Sequence, residues 1–300
     1  AKEVVGFVRR CSTCSLVKSV TPKFGTFLSP VIATRVCEVL GADIWKPGKF
    51  AATSRQGNVC VLTVTDRFSG YVWFLPLRNG RAVTVVEALL KSIILKHSVP
   101  RVMITDGGPE FKAEFSRFVQ YYGIDHRKTT AYYPEGNGAT ERPHRFLKSY
   151  LKSYLRDDSD LSEWEDCLPS AACAWNNAKS RRHGFSPYYL FHGRDVRYSI
   201  ENLIRESPDN DLGECSFTDR AKRVSTSLQE AWALALEANE HYATKMKEYH
   251  DKRQRNVTLR LHSIVQFRKR DPWLAKLSNT KVTGPWEIIK VHSSSNSYKI

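Results

Sequence analysis

Val39-Leu40-Gly41-Ala42-Asp43-Ile44-Trp45 sets one acid inside an apolar run. Its composition predicts a strand, the first of three across residues 36–78. The second is Val59-Cys60-Val61-Leu62-Thr63-Val64-Thr65 and the third is Tyr71-Val72-Trp73-Phe74-Leu75-Pro76-Leu77. Asp66-Arg67-Phe68-Ser69-Gly70 reads as the turn between those two, with Asp66 as a turn residue, so they should pair antiparallel. Downstream the period changes. Val85, Val86, Leu89, Leu90, Ile93 and Ile94 recur at helical spacing over 81–97, and Pro100 ends that helix. A short strand, Arg101 to Thr105, then delivers Asp106. Phe111, Phe115, Phe118 and Val119 mark another helix, residues 123–128 a fifth strand, and 139–156 and 160–178 two more helices. Three strands followed by helix, strand, helix, strand, helix make a mixed sheet covered by helices, an α/β fold.

Three carboxylates stand out because of where these elements put them. Asp43 lies within a strand, Asp106 follows Val102-Met103-Ile104-Thr105, and Glu141 opens a basic helix after Pro134-Glu135-Gly136-Asn137-Gly138. Strand ends and a helix start can converge on one point. Carboxylates ~4 Å apart repel by roughly 1 kcal/mol per pair in water and roughly 4 at an effective dielectric of 20. Such a cluster calls for hard, oxygen-ligated cations, Mg²⁺ first. Two ions about 3.5–4 Å apart would support in-line phosphoryl transfer.

The charge balance points the same way. The chain has 300 residues, with 46 Lys+Arg against 31 Asp+Glu, a net charge of +15. That excess fits a polyanionic partner, nucleic acid before a membrane surface. No apolar stretch approaches the ~18 residues of a membrane span. Cysteines at 11, 14, 37, 60, 167, 173 and 215 are odd in number and scattered through apolar segments, which fits a reducing compartment better than a disulfide framework.

Beyond the central region, residues 180–216 are rich in turn residues and 218–250 read as one long helix. Strand patterns return at 263–268, 286–291 and 297–300. They run to the last residue, so this small β module is expected to be truncated. The segment Lys245 to Lys281 is basic with interleaved Phe267 and Trp273. Cys11-Ser12-Thr13-Cys14 is half of a zinc site. No His precedes Cys11, so its missing ligands are expected before residue 1.

These residues together resemble the integrases of retroviruses and long-terminal-repeat retrotransposons, most closely the Ty3/gypsy type. The matching stretches are Asp43-Ile44-Trp45, Thr65-Asp66-Arg67-Phe68-Ser69-Gly70-Tyr71, Thr105-Asp106-Gly107-Gly108-Pro109-Glu110-Phe111 and Tyr132 to Arg142. Trp175-Asn176-Asn177 and Gly184-Phe185-Ser186-Pro187 resemble the segment closing that family's core. Tyr249-His250-Asp251-Lys252 and Gly284-Pro285-Trp286 resemble its C-terminal module of Gly-Pro-Tyr/Phe type. The series covers nearly the whole chain in the family's order.

The resemblance implies an RNase H-like mixed five-stranded sheet flanked by helices, with a remnant of a zinc module before it and a small SH3-like β barrel after it. The implied domains are a zinc-module remnant and linker at 1–30, a catalytic core at 31–195, a linker and long helix at 196–255, and the SH3-like DNA-binding module at 256–300. It implies 3′-end processing and strand transfer of element DNA, with Asp43, Asp106 and Glu141 as catalytic ligands of two Mg²⁺ or Mn²⁺ ions. Cys11 and Cys14 would hold Zn²⁺ with ligands outside this chain. Implied DNA contacts are Tyr132, Arg142, His144, Arg145, Lys148, Arg268, Lys269 and Arg270. Arg145 and Lys148 share a helix face with Glu141 by spacing alone. Expected partners are element DNA ends, target DNA and further copies of the chain, a tetramer or larger, with a chromatin tether as a further candidate. Expected locations are a virus-like particle and then the nucleus.

The sequence also departs from the family. The interval from Asp106 to Glu141 is one residue short, Gly107 replaces the usual Asn, Glu135 the usual Gln and His144 the usual Asn. The intact acids argue against a catalytically weak or domesticated integrase that only binds DNA, but His144 and the shortened interval keep that rival in view. An RNase H-type nuclease on the same fold is a third reading, which the half-zinc and Gly-Pro-Trp segments argue against.

Overall fold

Strand β2, Cys60–Asp66, is buried along its whole length because it lies inside a sheet covered on both faces. It pairs antiparallel with β1, Val39–Trp45, on one side and β3, Val72–Leu77, on the other. Strands β4, Val102–Thr105, and β5, Asp125–Lys128, add in parallel beyond β1. The order is β3-β2-β1-β4-β5, an RNase H-like mixed sheet. This computed structural model describes residues 31–47, 53–129, 138–155, 161–196, 217–251, 262, 264–268, 282–287, 290–292 and 297–299.

Strand alternation sends side chains to two cores. Leu40, Ala42, Leu62 and Val64 meet helix α1, Ala82–Leu89, and helix α2, Glu114–Tyr121. Trp45, Val61, Val72 and Phe74 meet helix α3, Gly138–Tyr154, through Leu147 and Leu151. Leu147, Leu151 and Trp164 are fully buried. Each such leucine contributes about 1.5–3 kcal/mol by leaving water. Asn176, in helix α4, Leu168–Asn177, closes β3 at Val72: its Oδ1 accepts from the Val72 amide at 2.8 Å and its Nδ2 donates to the Val72 carbonyl at 2.9 Å. The Trp175-Asn176 pair therefore seals a strand edge, with Trp175 Nε1 donating to the Gly70 carbonyl at 3.0 Å.

The structure departs from the sequence expectations in three places. The helix over 81–97 is α-helical only to Leu89 and continues as a π-helical turn, Leu90–Ile94. The segment over 160–178 opens as a 3-10 turn, Leu161–Glu165, and becomes α-helical where Pro169 can stand in the first turn. The turn-rich stretch contains helix α5, Pro187–His192: Ser186 caps it by accepting from the Tyr189 amide at 3.0 Å, and Gly193 ends it in the left-handed region at φ 71°. The helix expected over 139–156 is α3, Gly138–Tyr154, and carries Pro143 inside it. Helix α6, Phe217–Asp251, matches the long helix expected there. Among the described residues no helix is long and apolar enough to cross a membrane.

The chain divides into two compact units, residues 30–244 and residues 1–29 with 245–300. The sheet lies in the first. In the second, β6, Ile264–Arg268, pairs antiparallel with β7, Val282–Glu287, and β8, Lys290–His292, with β9, Ser297–Lys299. Gly284-Pro285-Trp286 thus lies within a strand and does not precede one. The described residues of this unit form two separate ladders and no closed barrel. The half-zinc segment lies outside the described residues.

Candidate active site

The β1–β4 ladder positions the first two acids. Ala42 stands opposite Thr105 as the last pair of that parallel ladder; Asp43 follows it within β1 and Asp106 is the first residue past the end of β4. Adjacent strands run ~4.8 Å apart. Alternation puts Asp43 on the same face as Trp45, the face that α3 covers. Its Oδ1 accepts from the Ile44 amide at 2.8 Å. Asp106 is held by a local turn, with Oδ1 accepting from the Gly108 amide at 3.0 Å.

The end of β4 is braced from β5. The buried Thr105 hydroxyl donates to the Asp106 carbonyl at 2.8 Å and lies 2.9 Å from His126 Nε2. Burial, with Lys128 beside it, lowers the His126 pKa. A neutral His126 with its proton on Nε2 satisfies both bonds, since the hydroxyl has only one hydrogen to give.

Helix α3 approaches Asp43 through His144, whose Nδ1 lies 3.5 Å from Asp43 Oδ2. Desolvation, then Lys148, pushes the His144 pKa down to about 4. At neutral pH this imidazole is uncharged and leaves the negative charge of Asp43 in place. Glu141 stands three residues before His144 on α3, on the same helix face. Its side chain lies outside the description. Thr63, the cross-strand partner of Asp43, has a buried hydroxyl with no hydrogen-bond partner, and His144 Nε2 is likewise buried and unpartnered. Neighbouring carboxylates with an uncharged imidazole beside them fit a hard divalent cation. Among the described residues no three His, Cys, Asp or Glu side chains form a metal cluster.

The remaining candidates fall as follows. Arg145 and Lys148 are exposed on α3. Arg142 is exposed too, but its guanidinium donates to the hydroxyl of Tyr242 on α6 and lies 5.5 Å from the centre of that ring. Arg268 ends β6. Cys11, Cys14, Tyr132, Lys269 and Arg270 lie outside the described residues. Asp66 is a structural acid. It is fully buried: Oδ2 accepts from the Ser69 amide at 2.9 Å and the Ser69 hydroxyl at 2.5 Å, and Oδ1 accepts from the Cys37 amide at 3.1 Å. Sequence reasoning missed Tyr242 and Arg182, which the site neighbourhood draws together from distant segments.

Residues 33–134 match the family model of the integrase core domain. That stretch is similar to the integrase cores of retroviruses and retroelements. It lies in a region 27% identical over 252 residues to the retrovirus-related Pol polyprotein from transposon 412 of Drosophila melanogaster, covering 81% of this chain and 19% of that polyprotein. The Gag-Pol polyprotein of Koala retrovirus is 30% identical over 191 residues, 61% of this chain and 11% of that protein. The chain thus spans a fifth or less of these relatives. A structure of the simian T-cell lymphotropic virus intasome in complex with PP2A regulatory subunit B56 gamma aligns with TM-score 0.49 and 18% identity, over 66% of this chain and 68% of that one.

Proposed function

We propose that this chain is a DNA integrase, a metal-dependent polynucleotidyl transferase acting on retroelement DNA, with Asp43, Asp106 and Glu141 as its catalytic carboxylates. The observation that supports the reading is the β1–β4 register, which ends where Asp43 and Asp106 follow its last pair, with α3 reaching Asp43 through His144, three residues after Glu141. Two divalent ions, magnesium or manganese, would when bound neutralise these acids and stabilise charge on the attacking and leaving oxygens. The chain itself does the positioning. Arg145 and Lys148 share the helix face of Glu141 and would hold the scissile phosphate and its neighbours. Tyr132 would stack on a base. In 3′ processing, water attacks a phosphodiester near the element end and a 3′ hydroxyl leaves. In strand transfer, that hydroxyl attacks a target phosphodiester and a target 3′ oxygen leaves.

The finer reading is Ty3/gypsy type, with Cys11 and Cys14 in a zinc module completed upstream and Arg268, Lys269 and Arg270 in an SH3-like DNA-binding module. The domain limits would be 1–30, 31–195, 196–255 and 256–300. The active form would be a tetramer or larger on paired DNA ends, in a virus-like particle and then in the nucleus, with a chromatin tether as partner. Strand transfer of a labelled duplex, run with Mg²⁺ and with Mn²⁺, tests the core claim. Asp106→Asn should abolish joining, and joining that survives this change would refute the assigned site. The second reading, a DNA-binding protein without catalysis, draws on His144 packed against Asp43. Salt-sensitive binding with no joining in either metal would favour it.

A further inference from the structure

Three arginines from three separate segments gather where α6 crosses the core. Arg182 lies over the Tyr242 ring at 4.1 Å, and its Nη1 donates to Asn239 Oδ1 at 2.7 Å. Asn239 in turn donates to the Phe68 carbonyl at 3.0 Å, beside Arg67. Arg142 approaches the same Tyr242 ring and bonds its hydroxyl. Among the described residues none of the three forms an ion pair, although Arg67 and Arg182 are partly buried and only Arg142 is exposed. The Nε of Arg67 is buried without any hydrogen-bond partner.

Buried guanidinium groups normally meet a carboxylate or another anion, because an unpaired charge out of water is costly. Here neighbouring positive charges raise that cost. Burial first, then the Arg182 charge, brings the Arg67 pKa down to about 10. The Arg182 pKa is lowered too, by burial above all, with Arg142 adding to the fall against an opposing effect of Tyr242. His183 stands next in the chain, but burial, then Arg182, pushes its pKa down to about 4, so it is neutral and adds no further positive charge. Salt bridges elsewhere in the chain, such as Arg101 with Glu38, show the ordinary solution that this cluster lacks.

We propose that Arg67, Arg142 and Arg182 form an oxyanion site, organised around Tyr242, that takes a phosphate group. The planar fork of arginine matches two phosphate oxygens at once, and the Nε edge of Arg67 is the donor left for such a contact. Either a DNA phosphodiester or free inorganic phosphate presents this chemistry. The DNA source rests on the integrase reading, because Arg142 adjoins Glu141. The site itself does not.

Thermal melting at constant ionic strength, with inorganic phosphate replacing chloride, tests the site. The full chain should melt ~2–4 °C higher once phosphate exceeds its Kd about fivefold. Arg67→Met should lose that rise and melt in chloride no lower than the parent, since it removes an unpaired buried charge. Arg142→Gln, at an exposed position, should need about tenfold more phosphate for the same rise. Equal melting of the parent chain in the two anions, or an undiminished rise in both variants, would overturn the site. Duplex binding without divalent metal, between 50 and 200 mM salt, identifies the source. A salt slope shallower by ~0.9 in Arg67→Met assigns the site to the DNA backbone. An unchanged slope with the phosphate response lost assigns it to free phosphate and leaves the catalytic reading untouched.

Discussion

Two ends of strand β1 treat aspartate in opposite ways. Near its start, Asp66 from β2 is sealed in, and three hydrogen bonds from Cys37 and Ser69 saturate its carboxylate. Near its finish, Asp43 and Asp106 follow the last pair of the β1–β4 ladder, each anchored to a nearby backbone amide. The first acid holds a turn together. The second pair, proposed as metal ligands, has one described hydrogen bond on each carboxylate and no such sealing. Burial and saturation thus mark a structural acid better than residue type does.

The contrast can be broken most directly at Asp106. Asp106→Asn should lower strand transfer by about a thousandfold or more, on the scale of losing a group that acts in the transition state. Without divalent metal it should leave stability unchanged or raise it by up to ~1 kcal/mol, by removing like-charge repulsion. Denaturant melts beside joining assays would show both. A loss of stability matching the loss of joining would make Asp106 another Asp66. In the core that carries α3, Leu151→Ala should cost ~2–5 kcal/mol in urea unfolding. Asp66→Ala should cost ~1–3 kcal/mol, because buried donors lose their acceptor.

Asp66 also predicts a pH effect. Desolvation raises its pKa from 3.8 to about 6, against the opposing pull of Ser69 and Cys37. Folding therefore favours its protonated form. Its contribution is full below pH ~4 and fades as pH rises through about 6. Asp66→Asn should flatten that segment of the melting-temperature profile, and an unchanged slope would remove the assignment. The smallest effect is expected at exposed Lys148. Lys148→Ala should weaken DNA binding without sequence preference and make the salt slope shallower by about one phosphate.

The sheet was legible because β-branched runs such as Val59 to Thr65 and Val102 to Thr105 carry strong local signals. The neighbouring placement of Asp43 and Asp106 was legible only as far as strand ends could be located. Other features hid for physical reasons. Ser186-Pro187 reads as a turn, yet a serine cap and a proline in the first position also start helices. The strand expected at 286–291 starts earlier, because β7 carries Gly284-Pro285 within a two-stranded ladder, and it ends at Glu287. The π-helical turn after Leu89 has no sequence signature that periodicity would detect. The arginine cluster on Tyr242 joins positions about 100 residues apart, and only tertiary packing brings them together.

The parallel β1–β4 pairing joins segments about sixty residues apart in the chain. Closing so long a loop costs entropy before the contact repays it, so such distant pairings tend to form after local ones such as the β2–β3 hairpin. The segments that carry Asp43 and Asp106 would therefore meet late in folding, after most of the sheet has formed around them.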